Sequence, residues 1–333
     1  MRPICWITWE DHRRSRELAK RLESEYLVIK AGGPSGISHM LLALKTLGTL
    51  WRKRHHIIFV QNPSRVLAAV AALFKLVLRY PLIVDRHTNF RLGKGFSLNP
   101  AIWFVIICSE FSLRVADLTI VTNSYLKELV ERKGGRAFIL TDPIPEFPLA
   151  AEPRRNTDRF TVFYVCTFSH DEPYEEVIGA ANLLDNSVTV QISGNYRKVG
   201  LTPTAMPDNV ELTGFVSNQE YDELLVAADA VMALTSAEWC LVCGGYEAIG
   251  AAKPLITSAT ETLKDFYGED ATFTGHTQQE IAAAIEDVRE QGMSLYERGL
   301  NIKKVRKESW ARDFNELQAY VSALSGLSSA TGS

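Results

Sequence analysis

The chain has 333 residues, of which 46% are hydrophobic and 23% are charged, and this composition excludes a disordered chain and predicts about two globular domains. The overall net charge is −3, but the residues up to Ala150 contain 22 Lys and Arg against 12 Asp and Glu, a net charge of +10, whereas the remainder carries −13. The asymmetry favours an anionic partner for the first half of the chain alone.

The first residues do not have the pattern of a signal peptide. Met1-Arg2-Pro3 is followed directly by the predicted strand Ile4–Thr8, which is too short to be the apolar segment of a signal peptide. Two apolar segments, Val66–Val84 and Pro100–Val121, are interrupted by charged residues before about 18 apolar residues accumulate. Five cysteines are too few and odd in number for a disulfide framework. We therefore expect a cytoplasmic protein without a transmembrane helix.

Strands and helices alternate through the first half. The predicted elements are strand Ile4–Thr8, helix Arg13–Leu22, strand Tyr26–Lys30, helix Ser38–Arg54, strand Ile57–Gln61, helix Arg65–Arg79, strand Pro81–Asp85, helix Ala101–Arg114, strand Leu118–Thr122, helix Ser124–Lys133 and strand Ala137–Leu140. This alternation predicts a parallel sheet with helices on both faces. The proline-rich segment after Asp142 predicts a linker, with the domain boundary at 150/151.

A second series follows the linker. Its predicted elements are strand Phe160–Cys166, helix Pro173–Leu184, strand Val188–Ser193, strand Val210–Leu212, helix Asn218–Ala227, strand Ala230–Leu234, a helix that begins at Tyr246, strand Leu255–Thr257, helix Glu261–Tyr267, and helices from Gln278 and from Met293. The predicted fold class is α/β, with two doubly wound, Rossmann-like domains facing a central cleft. Ligands of such folds bind at the carboxyl ends of the strands. The small polar residues 325–333 predict a disordered tail.

The segment Met232–Ser258 contains a strand, a turn with two glycines, the start of a helix and a further strand. Gly244 and Gly245 at a helix N-terminus let backbone N–H groups approach an anion. Glu247 is expected in the first helical turn, where a carboxylate can reach the hydroxyls of a ribose. The pattern is typical of a phosphate-binding turn, and its alternative is an ordinary strand-to-helix turn whose glycines only allow close packing.

These residues resemble the nucleotide-sugar signature of retaining glycosyltransferases of family 4, which have the GT-B fold. In that signature one Glu opens the loop, a second Glu starts the helix, and a run ending in Lys-Pro follows, as in Lys253-Pro254 here. The segments WITWEDHRRSRELAKRL, IIFVQNPS, LIVDRHTNF and DLTIVTNSYLKELV resemble a bacterial and archaeal subgroup associated with surface glycans. The spacing departs from the pattern, since Glu238 and Glu247 enclose eight residues instead of seven and Trp239 replaces a Gly.

The resemblance implies an N-terminal acceptor domain, 1–150, and a C-terminal donor domain, 151–307, with a last helix at about 308–324 that packs back on the first domain. It implies a retaining, metal-independent transfer of a sugar from a nucleoside diphosphate sugar, without a cofactor, to a glycan or lipid-linked acceptor. The donor-binding residues that it implies are Cys243, Gly244, Gly245, Glu247, Thr167, Ser169, Gly194, Arg197 and Val216. Glu238 would hold the hydroxyls of the transferred sugar.

The loop Thr167-Phe-Ser-His-Asp-Glu-Pro is the largest departure, because the family normally places Arg and Lys there to stabilise the departing diphosphate. The replacements on offer are the hydroxyls of Thr167 and Ser169, backbone amides and His170. Otherwise Arg197 or Lys198, which follow Gly194, would supply the charge.

Three strand ends of the first half carry candidate residues. His87, after the strand Pro81–Asp85, occupies the place of a family His near the transferred sugar, and we expect a catalytic role for it; the alternative is a surface His. Asn62 and Asn89 have a similar position and are assigned to the acceptor. Arg13 and Arg14 would grip an acceptor phosphate, or belong to a solvated basic helix face.

Two features remain outside the signature. Cys240 and Cys243 have the spacing of a redox pair or half a metal site, but no second Cys or His pair stands nearby, so we interpret them as small loop residues and expect no metal. The basic run Arg52-Lys53-Arg54, with the aliphatic helices beside it, predicts attachment to an anionic membrane surface. No nucleic-acid-binding motif is present, so we expect no nucleic acid as a partner.

Two alternatives share the predicted fold. A nucleotide-sugar 2-epimerase would convert or hydrolyse the donor without an acceptor. A non-catalytic subunit that binds a nucleotide sugar would support a partner transferase, in keeping with the missing Arg and Lys. The sequence does not decide among them.

Overall fold

The computed structural model describes residues 2–31, 35–61, 65–86, 100–147 and 159–326. The chain divides into two compact units: unit 1 comprises Met1–Asp142 with Ala311–Ser333, and unit 2 comprises Pro143–Trp310. The predicted boundary at 150/151 and residues 327–333 of the predicted tail lie outside the described residues.

Unit 1 contains a parallel sheet of six strands within the described ranges. The strands are β1 (Ile4–Thr8), β2 (Glu25–Val28), β3 (Ile57–Gln61), β4 (Leu82–Asp85), β5 (Leu118–Val121) and β6 (Ala137–Ile139), in the order β2-β1-β3-β4-β5-β6. The helices between them are α1 (Arg13–Arg21), α2 (Ser35–Arg52), α3 (Arg65–Leu78), α4 (Pro100–Val115) and α5 (Ser124–Arg132). β3 and β4 are buried along their whole length, because helices cover both faces of a parallel sheet.

Unit 2 repeats this architecture. Its described strands are β7 (Phe160–Tyr164), β8 (Val188–Ser193), β9 (Val210–Gly214), β10 (Ala230–Ala233), β11 (Leu255–Ser258) and β12 (Thr272–Thr274), all parallel, in the order β12-β11-β10-β7-β8-β9. The helices are α6 (Tyr174–Ala181), α7 (Asn218–Ala227), α8 (Cys243–Gly250), α9 (Glu261–Tyr267), α10 (Gln278–Gln291) and α11 (Met293–Gly326). The sequence did not predict β12, because Thr272-Phe273-Thr274 contains a single apolar residue and therefore shows no apolar run.

Local sequence explains several helix ends. Ser217 caps α7 and Thr277 caps α10, each in a reciprocal capping box with the Glu three residues later. Asn123 caps α5 by accepting the backbone N–H of Leu126. α11 is one continuous helix whose residues up to Trp310 belong to unit 2 and whose later residues belong to unit 1.

Each sheet has an apolar core. In unit 1 a cluster that includes Ile58, Val60, Ala71 and Leu82 lies between the sheet and its helices. In unit 2 one cluster packs α6 and α10 on the sheet, and another packs α7, α8 and α9. None of the helices in the described ranges is both long and apolar enough to cross a bilayer.

Candidate functional site

The strand order of unit 2 locates a candidate site. The chain runs outward from β7 through β8 to β9, returns to β10 beside β7, and continues in the other direction to β12. In open parallel sheets the crevice for a ligand lies at the carboxyl ends of the strands where the order reverses. In this unit that point lies at the ends of β7 and β10, so the loops after Tyr164 and Ala233 are the first candidates to contact a ligand.

Helix α8 begins directly over this point. A Cβ atom on Gly244 would lie 2.8 Å from Cβ of Val165 and 2.9 Å from Cβ of Ala233, one residue past β7 and the last residue of β10. A Cβ atom on Gly245 would collide with the hydroxyl of Tyr267. Both glycines therefore allow α8 to pack against the sheet, and this packing brings its N-terminus to the reversal point.

The start of α8 corrects one expectation. The glycines do not form a turn before the helix, because α8 begins at Cys243 and contains both of them. Glu247 is consequently the fifth residue of the helix and lies in its second turn, not its first. Close packing of the two glycines on β7, β10 and Tyr267 selects the earlier start.

The carboxylate of Glu247 is held by a residue that the sequence did not single out. The hydroxyl of Tyr221 in α7 donates to Oε2 of Glu247 at 2.6 Å. The Tyr221 ring packs edge to face on the ring of Phe163 in β7, with 5.4 Å between the ring centres, and this contact holds the Tyr221 ring in place. Burial, and then the charge of Glu247, raises the pKa of Tyr221, so its hydroxyl stays protonated and keeps donating. Glu247 is half-buried and oriented.

The loop after β7 is arranged around Glu172. Its Oε2 accepts the backbone N–H of Thr167 at 2.9 Å and that of Ser169 at 2.8 Å, and the hydroxyl of Thr167 lies 3.1 Å from it. Thr167 and Ser169 were expected to bind the diphosphate through their backbone amides and hydroxyls. In the structure the carboxylate of Glu172 occupies both amides, so a role of these amides in diphosphate binding requires that Glu172 is displaced and stays a prediction.

Asp171 joins this loop to the end of β10. Its Oδ2 accepts the hydroxyl of Thr235 at 2.7 Å, and its carbonyl oxygen accepts the backbone N–H of Ser236 at 2.7 Å. Burial alone would raise the pKa of Asp171, but hydrogen bonds from Ser169 and Thr235 outweigh it and lower the pKa. The carboxylate is therefore charged at neutral pH and ties the two loops at the reversal point together.

A cavity of about 300 Å³ lies beside these loops. Its lining includes His170, Asp171, Glu172, Ser236 and His276. The His276 ring nitrogen Nε2 lies 2.8 Å from the Ser258 hydroxyl at the end of β11. The His170 side chain is 97% exposed. The cavity is thus more acidic than a diphosphate site would favour.

A larger cavity, of about 390 Å³, opens at the other edge of the same sheet. Its lining includes Lys253 and Leu255 before and at the start of β11, Thr272 at the start of β12, and Arg298 of α11. These are the amino ends of the strands. Since doubly wound sheets bind their ligands at the carboxyl ends, we do not assign this cavity to the same site.

The end of β8 supplies the remaining donor candidates. Gly194 has φ +98, and a Cβ atom there would collide with the carbonyl oxygen of Cys166, so the loops after β7 and β8 touch only because residue 194 is glycine. Arg197 is exposed on a short 3-10 turn, with its guanidinium 5.9 Å from the Tyr196 ring centre. Val216 is half-buried after β9.

Glu238 has a contact that favours a structural role. One carboxylate oxygen accepts the backbone N–H of Thr262 at 3.2 Å, in the first turn of α9. A carboxylate at that position stabilises a helix N-terminus. The contact leaves the expected role in sugar binding untested.

In unit 1 the structure corrects the expectation for Arg14. Its side chain was expected at an accessible rim, but the residue is only 3% exposed. The Arg14 nitrogens Nε and Nη2 each donate to Oδ1 of Asp85 at 3.2 Å. Nη2 also donates to the carbonyl oxygen of Leu140 at 2.7 Å, and Nη1 donates to Oδ1 of Asp142. A buried carboxylate such as Asp85 is unstable without a cation beside it, and Arg14 supplies this cation. Arg14 therefore links α1 to β4 and to the segment after β6, and its side chain is not accessible to a ligand.

Other unit 1 candidates have different outcomes. Arg13, the neighbour of Arg14, is exposed. His87, Asn62 and Asn89 lie outside the described residues, so the catalytic and acceptor roles expected for them stay predictions. Within the described ranges, no group of three His, Cys, Asp or Glu side chains is placed to hold a metal ion.

Sequence reasoning missed three residues of the site: Tyr221, Asp171 and Glu172. The two acids precede Pro173 at the start of α6, a position where acidic residues are common for helix capping alone. Tyr221 gives no local signal, because its partner is 26 residues away.

Neither a protein-family model nor a curated protein sequence matches the chain. Solved structures do match it. The HepE protein of Anabaena in complex with UDP is 14% identical, with a TM-score of 0.74, over 96% of this chain and 100% of that chain. A sucrose-phosphate synthase of Thermosynechococcus elongatus is 15% identical, with a TM-score of 0.78, over 97% and 99% of the two chains. A putative UDP-N-acetylglucosamine 2-epimerase of Listeria monocytogenes is 11% identical, with a TM-score of 0.64, over 90% and 91%.

At these identities the likeness shows the fold alone. The chain has the GT-B fold, and the predicted α/β class with two doubly wound, Rossmann-like parallel sheets is confirmed. The same fold carries the epimerase, so the fold does not decide between transfer and epimerisation.

Proposed function

We propose that the protein is a retaining glycosyltransferase of the family-4 type that uses a nucleoside diphosphate sugar. The transferred sugar passes to a glycan or lipid-linked acceptor in the synthesis of a surface polysaccharide or glycoconjugate. The reaction needs neither a metal ion nor a further cofactor. The enzyme works in the cytoplasm, at the inner face of the membrane.

The observation that carries the proposal is the position of α8. Gly244 seats the N-terminus of this helix on the carboxyl ends of β7 and β10, where the strand order of unit 2 reverses. The N-terminus of a helix favours an anion, because its first N–H groups and its dipole point outward. A diphosphate at this place would lie next to Glu247, whose orientation Tyr221 fixes.

The roles of the other residues follow from this placement. Glu247 accepts hydrogen bonds from the ribose hydroxyls, and Val216 and the segment after β9 lie beside the base. Gly194 brings the loops after β7 and β8 together around the phosphates. The donor bond from the sugar C1 to the diphosphate breaks, the acceptor oxygen bonds to C1 on the same face, and the acceptor proton leaves with the diphosphate.

The departing diphosphate needs positive charge, which the loop after β7 lacks. Arg197 and Lys198 are exposed and close in sequence to Gly194, so they are the cations that we assign to this task. Arg is suited to it because its guanidinium binds phosphate oxygens in pairs.

The choice of nucleotide is guided by a structure of the same fold. HepE has been crystallised with UDP, with UDP and glucose, and with UDP-glucose. We therefore expect a uridine nucleotide to be the first to bind.

Melting-temperature shifts with UDP, GDP and other nucleotides and their sugars test the proposal. A ligand at 100 times its dissociation constant stabilises the folded state by about 2.7 kcal/mol, a shift that is easily measured. Glu247→Ala should keep the fold but lower the melting temperature of the unliganded protein slightly, because the Tyr221 hydroxyl loses its acceptor, and it should lose the nucleotide shift and sugar transfer. Unchanged nucleotide affinity in this variant would contradict the assignment of Glu247.

Product analysis separates the alternatives. A transferase gives a product with the anomeric configuration of the donor, whereas a 2-epimerase changes or hydrolyses the donor without an acceptor. The carboxylate of Glu172 on the amides of Thr167 and Ser169 favours a second candidate, a non-catalytic subunit, because the loop presents an anion to the diphosphate. Binding of a nucleotide sugar without turnover of any kind would support that candidate.

The absence of a metal requirement has its own test. Activity that EDTA abolishes and Mg²⁺ or Mn²⁺ restores would contradict a metal-independent reaction.

A further inference from the structure

Unit 1 exposes apolar side chains on three neighbouring helices. α2 contacts α3, and α3 contacts α4, so the outer faces of the three helices adjoin. Leu44 and Trp51 of α2 point away from the core, whereas Thr46 and Leu50 of the same helix are buried against it. Trp51 is 59% exposed. A soluble surface rarely collects large apolar side chains without a partner.

The other two helices continue this surface. Leu76 and Val77 are exposed on α3, and Val77 is 75% exposed, while Leu67 and Ala71 of the same helix are fully buried. Trp103 and Ile107, one turn apart on α4, are exposed as well. We call these residues, with Leu44 and Trp51, the outer face of unit 1.

Positive charge borders the outer face where α2 and α3 end. Arg52 and Arg54 are exposed, and the Arg54 guanidinium lies 5.4 Å from the Trp51 ring centre, in a cation–π contact. Arg79, the residue after α3, is also exposed. Aromatic side chains beside Arg are common at the boundary between lipid headgroups and acyl chains.

The acidic residues near these helix ends are already neutralised. Glu25 pairs with Lys53, and Asp117 pairs with Lys75 at 2.6 Å. Glu110 of α4 pairs with Lys133 at 2.6 Å. Among the described residues, no carboxylate forms an ion pair with Arg52, Arg54 or Arg79. The border of the outer face therefore keeps a net positive charge.

We propose that the outer face of unit 1 docks on an anionic lipid bilayer. The apolar side chains enter the boundary of the acyl chains, and Arg52, Arg54 and Arg79 contact lipid phosphates. Exposed apolar area and exposed arginines on the same surface match the two components of such a bilayer. The outer face consists of residues of unit 1, whereas the proposed nucleotide site consists of residues of unit 2, so variants can test the two separately.

Flotation of the full chain with vesicles tests the docking. Vesicles of phosphatidylcholine with phosphatidylglycerol should bind the protein, and phosphatidylcholine alone should bind it far less. Arg52→Glu with Arg54→Glu should weaken binding by more than about 25-fold, because each Lys or Arg near an anionic surface contributes about fivefold and the substitutions also add two negative charges. Salt should weaken the binding of the parent chain, because the attraction decays over about 8 Å at physiological ionic strength.

The apolar component has its own variant and matched controls. Trp51→Ser with Val77→Ser should also release the protein. Leu183→Ser with Val305→Ser removes two exposed apolar residues from unit 2, and Lys264→Glu with Lys304→Glu reverses two exposed cations there. Both controls should bind vesicles like the parent chain. Melting temperature and nucleotide affinity, measured for every variant, should not change.

Brominated lipids give a direct readout of contact. They should quench Trp fluorescence in the parent chain, and Trp51→Phe with Trp103→Phe should remove this quenching. The proposal is overturned if the parent chain stays in solution with anionic vesicles at low salt, or if the unit 2 controls lose binding as much as the outer-face variants. A dimer that forms without vesicles and is broken by Trp51→Ser with Val77→Ser would overturn it in favour of a second copy of the chain. Absence of vesicle binding with nucleotide affinity intact would leave the proposed transfer reaction unaffected, but it would contradict the membrane location and favour a soluble acceptor.

Discussion

The carboxylate of Glu172 accepts the backbone N–H of Ser169 at 2.8 Å, so the loop after β7 closes around an anion that the chain itself supplies. The same oxygen accepts the N–H of Thr167. Backbone amides at the reversal point of a doubly wound sheet are ordinarily available to a ligand phosphate. A diphosphate that uses these two amides must displace Glu172, or it must bind elsewhere.

Glu172→Ala should therefore tighten UDP binding by about tenfold, which corresponds to about 1.4 kcal/mol, because the two amides become available and a nearby negative charge is removed. Calorimetric titration with UDP measures the effect. Glu175→Ala is the matched control: it removes the same charge from the exposed face of α6, and we expect at most a small gain. Equal gains in both variants would mean that only long-range charge matters, and weaker binding in Glu172→Ala would show that the loop needs Glu172 to hold its shape.

Tyr221→Phe tests whether Glu247 must be oriented. The variant loses the 2.6 Å hydrogen bond to Glu247 but keeps the ring that contacts Phe163. We expect stability to fall by about 1 kcal/mol and nucleotide affinity to fall by about three- to tenfold. Tyr174→Phe, in the same unit, is a control that removes a hydroxyl without a link to Glu247. If Tyr221→Phe binds nucleotide like the parent chain, the hydrogen bond has no part in positioning the carboxylate.

Gly244→Ala tests the seating of α8. The added Cβ atom has no room between Val165 and Ala233, so we expect a loss of about 1–3 kcal/mol in the free energy of unfolding and weaker nucleotide binding. Gly48→Ala is the control, because a Cβ atom at that position of α2 meets nothing within 4 Å, and alanine should stabilise the helix by about 0.5–1 kcal/mol. Denaturant titration measures both. Full stability in Gly244→Ala would show that α8 can shift away from the strands at little cost.

Arg14→Met should destabilise unit 1 by about 3–5 kcal/mol, because it leaves the buried carboxylate of Asp85 without its cation. Arg13→Met, at the exposed neighbouring position, should change the stability by less than about 0.5 kcal/mol. The free energy of unfolding from chemical denaturation distinguishes them. Similar small effects in both variants would mean that solvent or another cation replaces Arg14 beside Asp85.

The cysteines should differ in reactivity according to burial. Burial raises the pKa of Cys240 to about 11, and the pKa of Cys5 and of Cys166 to about 12, so these thiols stay protonated at neutral pH. Cys243 is exposed, and we expect iodoacetamide to modify it before Cys240, as followed by mass spectrometry. Faster modification of Cys240 would contradict the inert character that we assign to it.

The same shifts set a pH dependence with a defined sign. Between about pH 9 and 12 the unfolded chain has lost the protons of Cys5 and Cys166, whereas the folded chain keeps them. The folded state then binds more protons, so the free energy of unfolding should fall as the pH rises through this range. Replacing both residues with Ala should flatten the fall, and an unchanged slope would assign it to other groups.

The sequence by itself determined the doubly wound architecture, because strand and helix periodicities are local and each predicted element is long enough to show one. It also singled out Gly244, Gly245 and Glu247 as candidates for nucleotide binding, since a short motif in nearly consecutive residues carries its own signal, and their role stays a prediction. The exact start of α8 was not legible, because packing of the glycines on Val165, Ala233 and Tyr267 decided it.

Only the tertiary structure decided how the polar side chains are used. Arg14 is legible as a basic residue of an amphipathic helix, but its burial depends on Asp85, which lies 71 residues further along the chain. Tyr221 of α7 donates a hydrogen bond to Glu247 of α8, and Glu172 accepts a hydrogen bond from a backbone amide of its own loop. A charged side chain in the sequence is compatible with solvent, a ligand or an internal partner. Which of these three the side chain contacts depends on which opposite charge or unpaired amide lies within about 3 Å of it in the fold. Those groups belong to segments that are distant in sequence, so the sequence alone does not identify them.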